Sequence, residues 1–359
     1  MKIGEADPNL DVPSGLNIEG LEYYDLQQKP FAIYGLYQND VSGRYMRFPE
    51  EEAEKVSPGV RELNLCTAGA RVRFCTDSPY VAVKAELTSG EIMPHMPVTG
   101  SHGMDLYVCE NGQDVFRGAF VPPATSSHSY EGVVFFYSSI DREITIHLPL
   151  YSGVKSLLIG VDRNARIKEG RKYRPVKPVV YYGSSITQGG CVSRPGNHYP
   201  AAIARETNVD FICLGFSGGA KGEKEMADYL AGLKASVFVC AYDHNAPSVQ
   251  HLQDTHWPVY EIYREKNPDV PIIFISRPNI RFGNREELAR RDIIYRTYSR
   301  AMEAGDRNVY FIDGFQLFSG PRRYDCTVDG VHPNDAGFFR MAEVIGEVVR
   351  HCLPEDSMI

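Results

Sequence analysis

The sequence predicts an α/β protein of two domains, in which an all-β sandwich precedes a parallel sheet that is covered by helices. Its 359 residues exceed the ~100–200 of a typical domain. Short β-type runs between turns fill the first half, whereas apolar runs alternate with amphipathic stretches in the second. A basic segment with Gly170 and Pro175 separates the two patterns. We therefore predict domains at 1–173 and 174–359, with a solvated linker between them rather than a phosphate-binding patch.

The first half, up to about residue 173, is interpreted as β throughout. Asn111-Gly112 lies between two β-type runs, 104–109 and 115–117, and this dipeptide is the strongest short signal for a hairpin. Further runs rich in Val, Ile, Phe and Tyr recur at 71–74, 80–84, 133–137, 143–147 and 156–160. Many short strands at such spacing are typical of a jelly-roll-like antiparallel sandwich.

The second half is predicted to be a parallel sheet that is buried on both faces. Strands that are apolar throughout and alternate with helical stretches indicate this architecture. We expect a long helix over 286–304 and a closing helix over about 335–352, with Asn334 or Asp335 as its N-cap. Five apolar runs are the expected strands, at 178–183, 209–215, 236–242, 271–276 and 308–312.

Composition and charge exclude several classes of function. The net charge of −8 argues against nucleic acid as the main partner. No apolar run approaches the roughly 20 residues that a membrane helix needs. The eight cysteines form no C-x-x-C pair, and His251 and His256 are five residues apart, so neither a metal nor another cofactor is expected. The beginning of the chain lacks an apolar segment, which predicts a cytoplasmic protein if the chain is complete and a secreted or periplasmic one if a signal was removed.

Polar residues with catalytic potential follow the ends of the predicted strands. Ligands of an open parallel sheet bind outside the carboxyl ends of its strands. Ser185 follows the first predicted strand, Gly218 the second and Asn245 the third. Asp329 and His332 lie beyond the fifth. We therefore expect these segments to meet at one edge of the sheet.

Acyl transfer gives each of these residues a role. Ser185 is the predicted nucleophile, His332 the base that takes its proton, and Asp329 the carboxylate that orients the imidazole. The backbone N–H groups of Ser185 and Gly218 and the side-chain amide of Asn245 are the candidate donors of an oxyanion hole.

These residues occur in an order that resembles the four signature blocks of the SGNH, or GDSL-type, hydrolases. The blocks are Gly183-Ser-Ser185-Ile, Gly215-Phe-Ser-Gly218, Asn245 and Asp329-x-x-His332. The resemblance covers residues from about 176 to 355 and implies a flavodoxin-like α/β/α sandwich that hydrolyses esters or acetyl groups. A β-sandwich in front is similar to the arrangement in two-domain bacterial carbohydrate esterases.

The chain departs from the SGNH pattern in two blocks. Ser184 replaces the aspartate that usually precedes the nucleophile. The usual Gly-x-Asn-Asp of the third block reads Asp243-His-Asn-Ala246, in which only the asparagine matches.

Two alternative interpretations stay open. Gly215-Phe-Ser217-Gly-Gly219 also fits the nucleophile elbow of α/β-hydrolases, which would make Ser217 the nucleophile. A carbohydrate-binding sandwich joined to an inactive hydrolase domain is the non-enzymatic alternative.

The substrate is predicted to be a small molecule or a saccharide that carries a short acyl ester, most simply acetyl. The polar and aromatic segment 191–199 suits a hydroxyl-bearing ligand. Trp257 and Tyr260 resemble a sugar platform, although their helical spacing is more typical of core residues.

Overall fold

The computed structural model describes residues 15–37, 45–123, 128–279, 281 and 284–354, and these divide into two compact units. Unit 1 contains the described residues up to Tyr45, Leu65–Lys172 and Ser193–Gly196. Unit 2 contains Met46–Asn64, Tyr173–Val192 and the described residues from Asn197 onward. The chain therefore changes unit close to residue 173, but two short segments belong to the unit opposite to their neighbours in sequence.

Unit 1 is a jelly-roll-like sandwich of two antiparallel sheets. One sheet has the order β1-β9-β4-β7, and the other has the order β10-β3-β8-β5-β6, with β2 paired to β3. Strands that follow each other in the chain, such as β3 and β4 or β8 and β9, lie in different sheets, as a jelly roll requires. The strands are β1 Leu21–Asp25, β2 Ala32–Tyr34, β3 Arg71–Thr76, β4 Tyr80–Leu87, β5 Met104–Glu110, β6 Gln113–Phe120, β7 Ser129–Phe135, β8 Arg142–His147, β9 Val154–Asp162 and β10 Ile167–Glu169.

The pairing of β5 with β6 confirms the hairpin that was predicted at Asn111-Gly112. Glu110 pairs with Gln113, which leaves a two-residue turn. Both turn residues have positive φ, 51° at Asn111 and 83° at Gly112, as the tight turn of a hairpin demands. Alternate residues of both sheets form the core of the unit; examples are Val72, Phe74, Val81, Val83, Leu106, Ile146 and Ile159.

The basic segment that was predicted to be a linker is partly a strand. Ile167–Glu169 forms β10, which pairs with the edge of β3. Lys168 forms an ion pair with Asp141, and Arg166 forms ion pairs with Asp77 and Asp141. These cations are therefore balanced by neighbouring carboxylates, which explains their charge without a phosphate ligand.

Unit 2 is a flavodoxin-like α/β sandwich, which confirms the predicted fold class. All five strands are parallel and have the order β12-β11-β13-β14-β15, which reverses next to β11. The strands are β11 Val179–Gly183, β12 Phe211–Gly215, β13 Val237–Ala241, β14 Ile272–Ile275 and β15 Val309–Ile312. Each lies within one of the five apolar runs of the sequence.

Two helices of unit 2 come from the half of the chain that was interpreted as β, so that interpretation was wrong for 50–63. They are α1 Glu50–Val56 and α2 Pro58–Leu63, and a third short helix, α3 Val98–Ser101, lies in unit 1. Ser57 caps α2 by accepting a hydrogen bond from the N–H of Val60 at 3.2 Å, and Pro58 follows the cap, where its fixed φ suits a helix start. The side chains of Ala53 and Val60 join the core of unit 2.

The remaining helices cover both faces of the parallel sheet. They are α4 Ser185–Gln188, α5 Tyr199–Thr207, α6 Lys224–Gly232, α7 Val249–Lys266, α8 Arg285–Glu303, α9 Gly314–Leu317 and α10 Asp335–Cys352. Tyr181 contacts Tyr199 of α5, whereas the next residue, Tyr182, faces the core formed with α6, α7 and α8. Asn334 caps α10 by accepting from the N–H of Gly337 at 3.1 Å, which confirms the predicted start of that helix.

None of the helices in the described ranges combines the length and the apolar character that crossing a membrane requires.

Candidate active site

Ser185 lies at the turn between β11 and α4, as the sequence predicted. Ser184 is the N-cap of α4, and its hydroxyl accepts from the N–H of Ile186 at 3.3 Å. The position where the SGNH pattern has aspartate is thus filled by another residue that caps helices well. Gly183 has no room for a side chain, because an added Cβ would lie 2.7 Å from the carbonyl oxygen of Ala241. Ser185 itself is 5% exposed.

His332 and Asp329 complete a chain of hydrogen bonds that starts at Ser185. The Oγ of Ser185 lies 2.9 Å from Nε2 of His332, and Nδ1 of His332 lies 2.7 Å from Oδ2 of Asp329. Because a carboxylate only accepts, the proton of the neutral ring is on Nδ1 and leaves Nε2 free to accept from the serine hydroxyl. The structure therefore brings together the three residues that the sequence singled out.

The turn that carries Asp329 and His332 is held by its own backbone. Oδ1 of Asp329 accepts from the N–H groups of Val331 at 2.9 Å and His332 at 2.7 Å. Gly330 has a φ of 86°, which favours glycine. The N–H of Val328 donates to the carbonyl of His332 and closes the turn at 2.9 Å.

These contacts fix the charge of Asp329. Partial burial by itself raises the pKa of the carboxyl, but the hydrogen bonds from the His332 ring and from two backbone N–H groups outweigh this effect. The net result is a pKa of about 2. Asp329 is therefore an anion at every pH at which a neutral imidazole acts as a base.

Gly218 lies in the turn that follows β12. Its φ is 64°, a left-handed conformation that costs other residues free energy. Nothing lies within 4 Å of an added Cβ, so the backbone conformation rather than space explains the glycine. Gly218 is exposed, and its N–H donates no hydrogen bond to any residue that the structure describes.

Asn245 ends a short 3-10 helix, Asp243–Asn245, that follows β13. Its side-chain nitrogen donates to the carbonyl of Phe216 at 2.8 Å, which connects the third block of the SGNH pattern to the second. An amide nitrogen carries two hydrogens, so this bond leaves one that can serve a ligand. Asn245 is half-buried.

Residues outside the SGNH pattern stabilise this 3-10 helix. Asp243 is buried and accepts from the N–H of Arg277 at 3.0 Å. Burial raises the pKa of Asp243 to about 6 against the opposing effect of Arg277 and Arg290. Arg290 of α8 donates to the carbonyls of Asp243 at 2.8 Å and Ala246 at 2.9 Å.

The alternative nucleophile, Ser217, lies in a different environment. Its N–H donates to the side chain of Gln188 at 2.9 Å, and among the described residues its hydroxyl forms no hydrogen bond with a histidine. The next helix, α6, begins only at Lys224, whereas a nucleophile elbow leads directly into a helix. The local geometry of Ser217 is therefore that of a loop residue.

Residues 176–350 match the model of the GDSL-like lipase/acylhydrolase family, and residues 21–167 match the GxDLY model, which is described as the N-terminus of SGNH-hydrolase-type esterases. A putative GDSL-like lipase from Bacteroides ovatus is 30% identical in sequence, with a TM-score of 0.83, and the match covers 92% of this chain and 98% of that one. The chain belongs to the GDSL-like lipase/acylhydrolase family. It is a carboxylic ester hydrolase.

Two further solved structures share the fold of this hydrolase. A salicylyl-acyltransferase from a tetracycline biosynthetic pathway is 19% identical, with a TM-score of 0.76 over 94% of this chain and 99% of that one. An acetyl xylan esterase from the rumen bacterium Butyrivibrio proteoclasticus is 13% identical, with a TM-score of 0.56 over 92% and 98%. At these identities the likeness concerns the fold alone. Comparison of the hydrolase with curated protein sequences found no significant match.

The sequence did not reveal Arg47, which supports the second SGNH block at Gly215. Arg47 is buried in unit 2, where its guanidinium donates to the carbonyl of Gly215 at the end of β12 and to that of Leu63 at the end of α2. It also lies over the ring of Phe216, 4.3 Å from the centroid. No spacing rule reveals such a residue, because it precedes Gly215 by 168 positions.

Trp257 and Tyr260 are placed in α7 of the hydrolase and pack against its core rather than forming an open platform. Arg300 covers the ring of Trp257, with the guanidinium carbon 3.6 Å from the centroid. The hydroxyl of Tyr260 donates to Asp306 at 3.0 Å. Both contacts agree with the core interpretation of their helical spacing.

Proposed function

We propose that this hydrolase removes short acyl groups, in particular acetyl, from esters of carbohydrates by serine catalysis. The observation that carries the mechanism is the unbroken sequence of hydrogen bonds from Ser185 through His332 to Asp329, at 2.9 and 2.7 Å. It supplies a nucleophile, a base and an orienting carboxylate in the geometry that acyl transfer requires.

In the first half of the proposed reaction, the Oγ of Ser185 attacks the ester carbonyl carbon while Nε2 of His332 takes the hydroxyl proton. The tetrahedral intermediate collapses, the alcohol leaves with the proton from His332, and an acyl-serine remains. Water then attacks the acyl carbon and gives a proton to His332. Collapse of this second tetrahedral intermediate releases the acid, and His332 returns the proton to the Oγ of Ser185. Asp329 stays ionised throughout and stabilises the imidazolium in both halves.

The negative oxygen of each tetrahedral intermediate requires preorganised donors. We assign this role to the N–H of Ser185, the N–H of Gly218 and the side-chain amide of Asn245. The left-handed Gly218 and the bond from Asn245 to Phe216 support the assignment, because they fix two of the donors before substrate arrives. Loss of one such donor typically costs about 2.7–4 kcal/mol of barrier.

The acyl group and the alcohol are proposed from solved structures that share the fold. One structure with the same fold is described as an acetyl xylan esterase, and another as a family two carbohydrate esterase in complex with cellohexaose. The polar segment 191–199 does not add to this support, because Asn197, His198 and Tyr199 are buried and Arg194 binds Asp105. A faster reaction with acetyl than with longer acyl esters is the expected result.

A second candidate is acyl transfer to a hydroxylated acceptor other than water. The structural likeness to the salicylyl-acyltransferase, with a TM-score of 0.76, favours it. The same acyl-serine would serve both reactions, so the products distinguish them. Mass spectrometry of a reaction that contains an aryl acetate and a saccharide would reveal acetylated saccharide if transfer competes with hydrolysis.

Covalent labelling with a fluorophosphonate tests the nucleophile without knowledge of the natural substrate. Peptide mapping should find the label on Ser185, and Ser185→Ala should abolish both labelling and turnover of an aryl acetate. Ser217→Ala serves as the matched control and should retain both activities. Loss of turnover in Ser217→Ala, with retention in Ser185→Ala, would show that the elbow interpretation is correct instead.

A further inference from the structure

A buried carboxylate of the jelly roll holds a segment that comes from the opposite half of the chain. Ser193–Gly196 belongs to unit 1, although residues on either side of it belong to unit 2. Nη1 of Arg194 donates to Oδ2 of Asp105 at 3.0 Å and to the hydroxyl of Tyr107 at 2.5 Å. The N–H of Gly196 donates to both oxygens of Asp105, at 3.1 and 2.9 Å.

Arg194 and Gly196 fit closely around the carboxylate of Asp105. Asp105 is fully buried, and a buried carboxylate must be paired and hydrogen-bonded to be tolerated. Gly196 permits the approach, because an added Cβ would lie 2.5 Å from the ring of Tyr107 and 2.8 Å from Asp105. The guanidinium of Arg194 lies 3.7 Å from the centroid of Phe116, which fixes its remaining face.

The residues that hold the segment coincide with a motif. The matching family model is named GxDLY, and in this chain Gly103-Met-Asp105-Leu-Tyr107 has that sequence. The aspartate and the tyrosine are the side chains that bind Arg194. An added Cβ at Gly103 would lie 2.5 Å from the carbonyl oxygen of Thr99, whose hydroxyl donates to the carbonyl of Ser193 at 2.6 Å.

Covalent continuity connects the held segment to both halves of the candidate active site. Upstream, Gly190 donates its N–H to the carbonyl of Ser185 at 2.8 Å, four residues before Arg194. Downstream, the side chain of Asn197 donates to Asp335 at 3.3 Å. Asp335 is the first residue of α10 and follows His332 by three positions. The residues that flank the segment in sequence, Gly190 and Asn197, are therefore hydrogen-bonded to the nucleophile residue and to the helix start next to the base.

We propose that Asp105 and Tyr107 are positioning residues for catalysis. By fixing Arg194 and Gly196 they hold the segment, and with it the separation of Ser185 and His332. The proposal rests on the assignment of Ser185 and His332 as nucleophile and base. It gives the GxDLY motif a function in the reaction rather than in sugar binding. Misplacement of reacting groups by about 1 Å can cost about 10²-fold in rate, so the effect should fall on kcat.

The test compares Asp105→Asn and Tyr107→Phe with Asp114→Asn, a matched control in the same sheet. Asp114 pairs with Arg73 at 3.7 Å, and both of these side chains are only 3% exposed. Full-length variants are compared by kcat and KM for an aryl acetate, by the rate of fluorophosphonate labelling and by Tm. We expect Asp105→Asn to lower kcat and the labelling rate about 10²-fold and Tyr107→Phe about 10-fold, with KM within about threefold of wild type. Asp114→Asn should lower Tm but change kcat less than about twofold.

Wild-type kcat and labelling in folded Asp105→Asn and Tyr107→Phe would overturn the proposal. So would an equal loss in Asp114→Asn, which would indicate a general effect of stability, or a rise in KM alone, which would indicate substrate binding. Tyr107→Phe, which removes a single hydroxyl, decides the matter if Asp105→Asn does not fold. A label on a residue other than Ser185 would refute the proposed function and the positioning proposal together, whereas a label on Ser185 with wild-type kcat in the Asp105 and Tyr107 variants would refute positioning alone.

Discussion

At the scale of single residues, a short exposed turn around Asp329 is sufficient to orient the imidazole of His332. The carboxylate binds the imidazole through one oxygen and two backbone N–H groups through the other. The same bonds that orient His332 keep the pKa of Asp329 at about 2. The same hydrogen bonds therefore determine both the orientation of His332 and the charge of Asp329.

Asp329→Asn should lower kcat by about 10⁴-fold, because an amide can stabilise the wrong tautomer of His332 and cannot stabilise its cation. KM for an aryl acetate should change little. Steady-state kinetics with Asp325→Asn as the control measures this, since Asp325 lies in the same loop and contributes its backbone carbonyl, not its carboxylate, to Asn334. A loss of less than about tenfold in kcat would mean that the carboxylate does not have the proposed role.

Asn245→Ala should lower kcat by about 10²–10³-fold if its amide stabilises the oxyanion. The substitution also removes the donor to Phe216, so Tm is measured in parallel. Asn245→Asp keeps the size of the side chain but removes both donor hydrogens, and it should be as inactive as the alanine variant. An active Asn245→Asp enzyme would leave Ser185 and Gly218 as the only proposed donors.

The sequence alone predicted that Ser185, His332 and Asp329 lie together, because each follows a strand end of a parallel sheet. The role of each residue stays a prediction. The supporting contacts of Asp243 with Arg277 and Arg290 could not be predicted, because they join residues from separate elements through backbone groups. A side chain that hydrogen-bonds to backbone groups does not require particular residue types as partners, so no sequence pattern reveals the contact.

At the scale of elements, α1 and α2 show where prediction from local patterns failed. The signals of a helix start were present, with three glutamates in the first turn of α1 and Ser57-Pro58 as the N-cap and first residue of α2. The β-type runs that follow from residue 71 onward outweighed them. That these helices belong to unit 2 depends on contacts such as that of Arg47 with Gly215, which no local pattern contains.

Arg47→Met should lower the free energy of unfolding by about 3 kcal/mol or more. The substitution leaves the buried carbonyl of Gly215 and the part-buried carbonyl of Leu63 without this donor, and each lost partner costs about 1–3 kcal/mol when buried. Urea denaturation, followed by circular dichroism, measures the change. Arg61→Met is the control, because its side chain is 61% exposed, and should change stability by less than about 0.5 kcal/mol. Equal stability of Arg47→Met and wild type would contradict the stabilising role of the hydrogen bonds from Arg47 to Leu63 and Gly215.

At the scale of the whole molecule, buried histidines set the response to acid. His256 is buried and its Nδ1 lies 2.8 Å from the Thr297 hydroxyl; burial lowers its pKa from about 6.5 to about 3. Burial also lowers the pKa of His244 to about 4. Both side chains are neutral in the fold but gain a proton on unfolding, so stability falls as pH decreases below about 6.5. Asp243, with a pKa raised to about 6, acts in the opposite direction between about 6 and 3.8.

Burial also lowers the pKa of His102, which adds to the uptake of protons on unfolding. His256 and His244 against Asp243 leave a net uptake of about one proton between pH 6 and 4, so these three groups should decrease the free energy of unfolding by about 1.4 kcal/mol per pH unit in this range. His256→Gln should remove most of this slope, whereas His351→Gln, an exposed histidine of α10, should leave it unchanged. Urea midpoints between pH 4.5 and 7 provide the measurement, and an unchanged slope in His256→Gln would rule out this explanation.

The interleaved path of the chain limits where the coding sequence of this enzyme can be divided. Residues 46–64 complete the α/β unit although they are encoded ahead of most of the jelly roll, and residues 193–196 complete the jelly roll from within the α/β half. A gene fragment that begins near codon 174 would lack Arg47, Phe48 and Val60, all of which are buried in unit 2. Division of the coding sequence at that point would therefore yield two incomplete units, because each half encodes residues that the other unit contains.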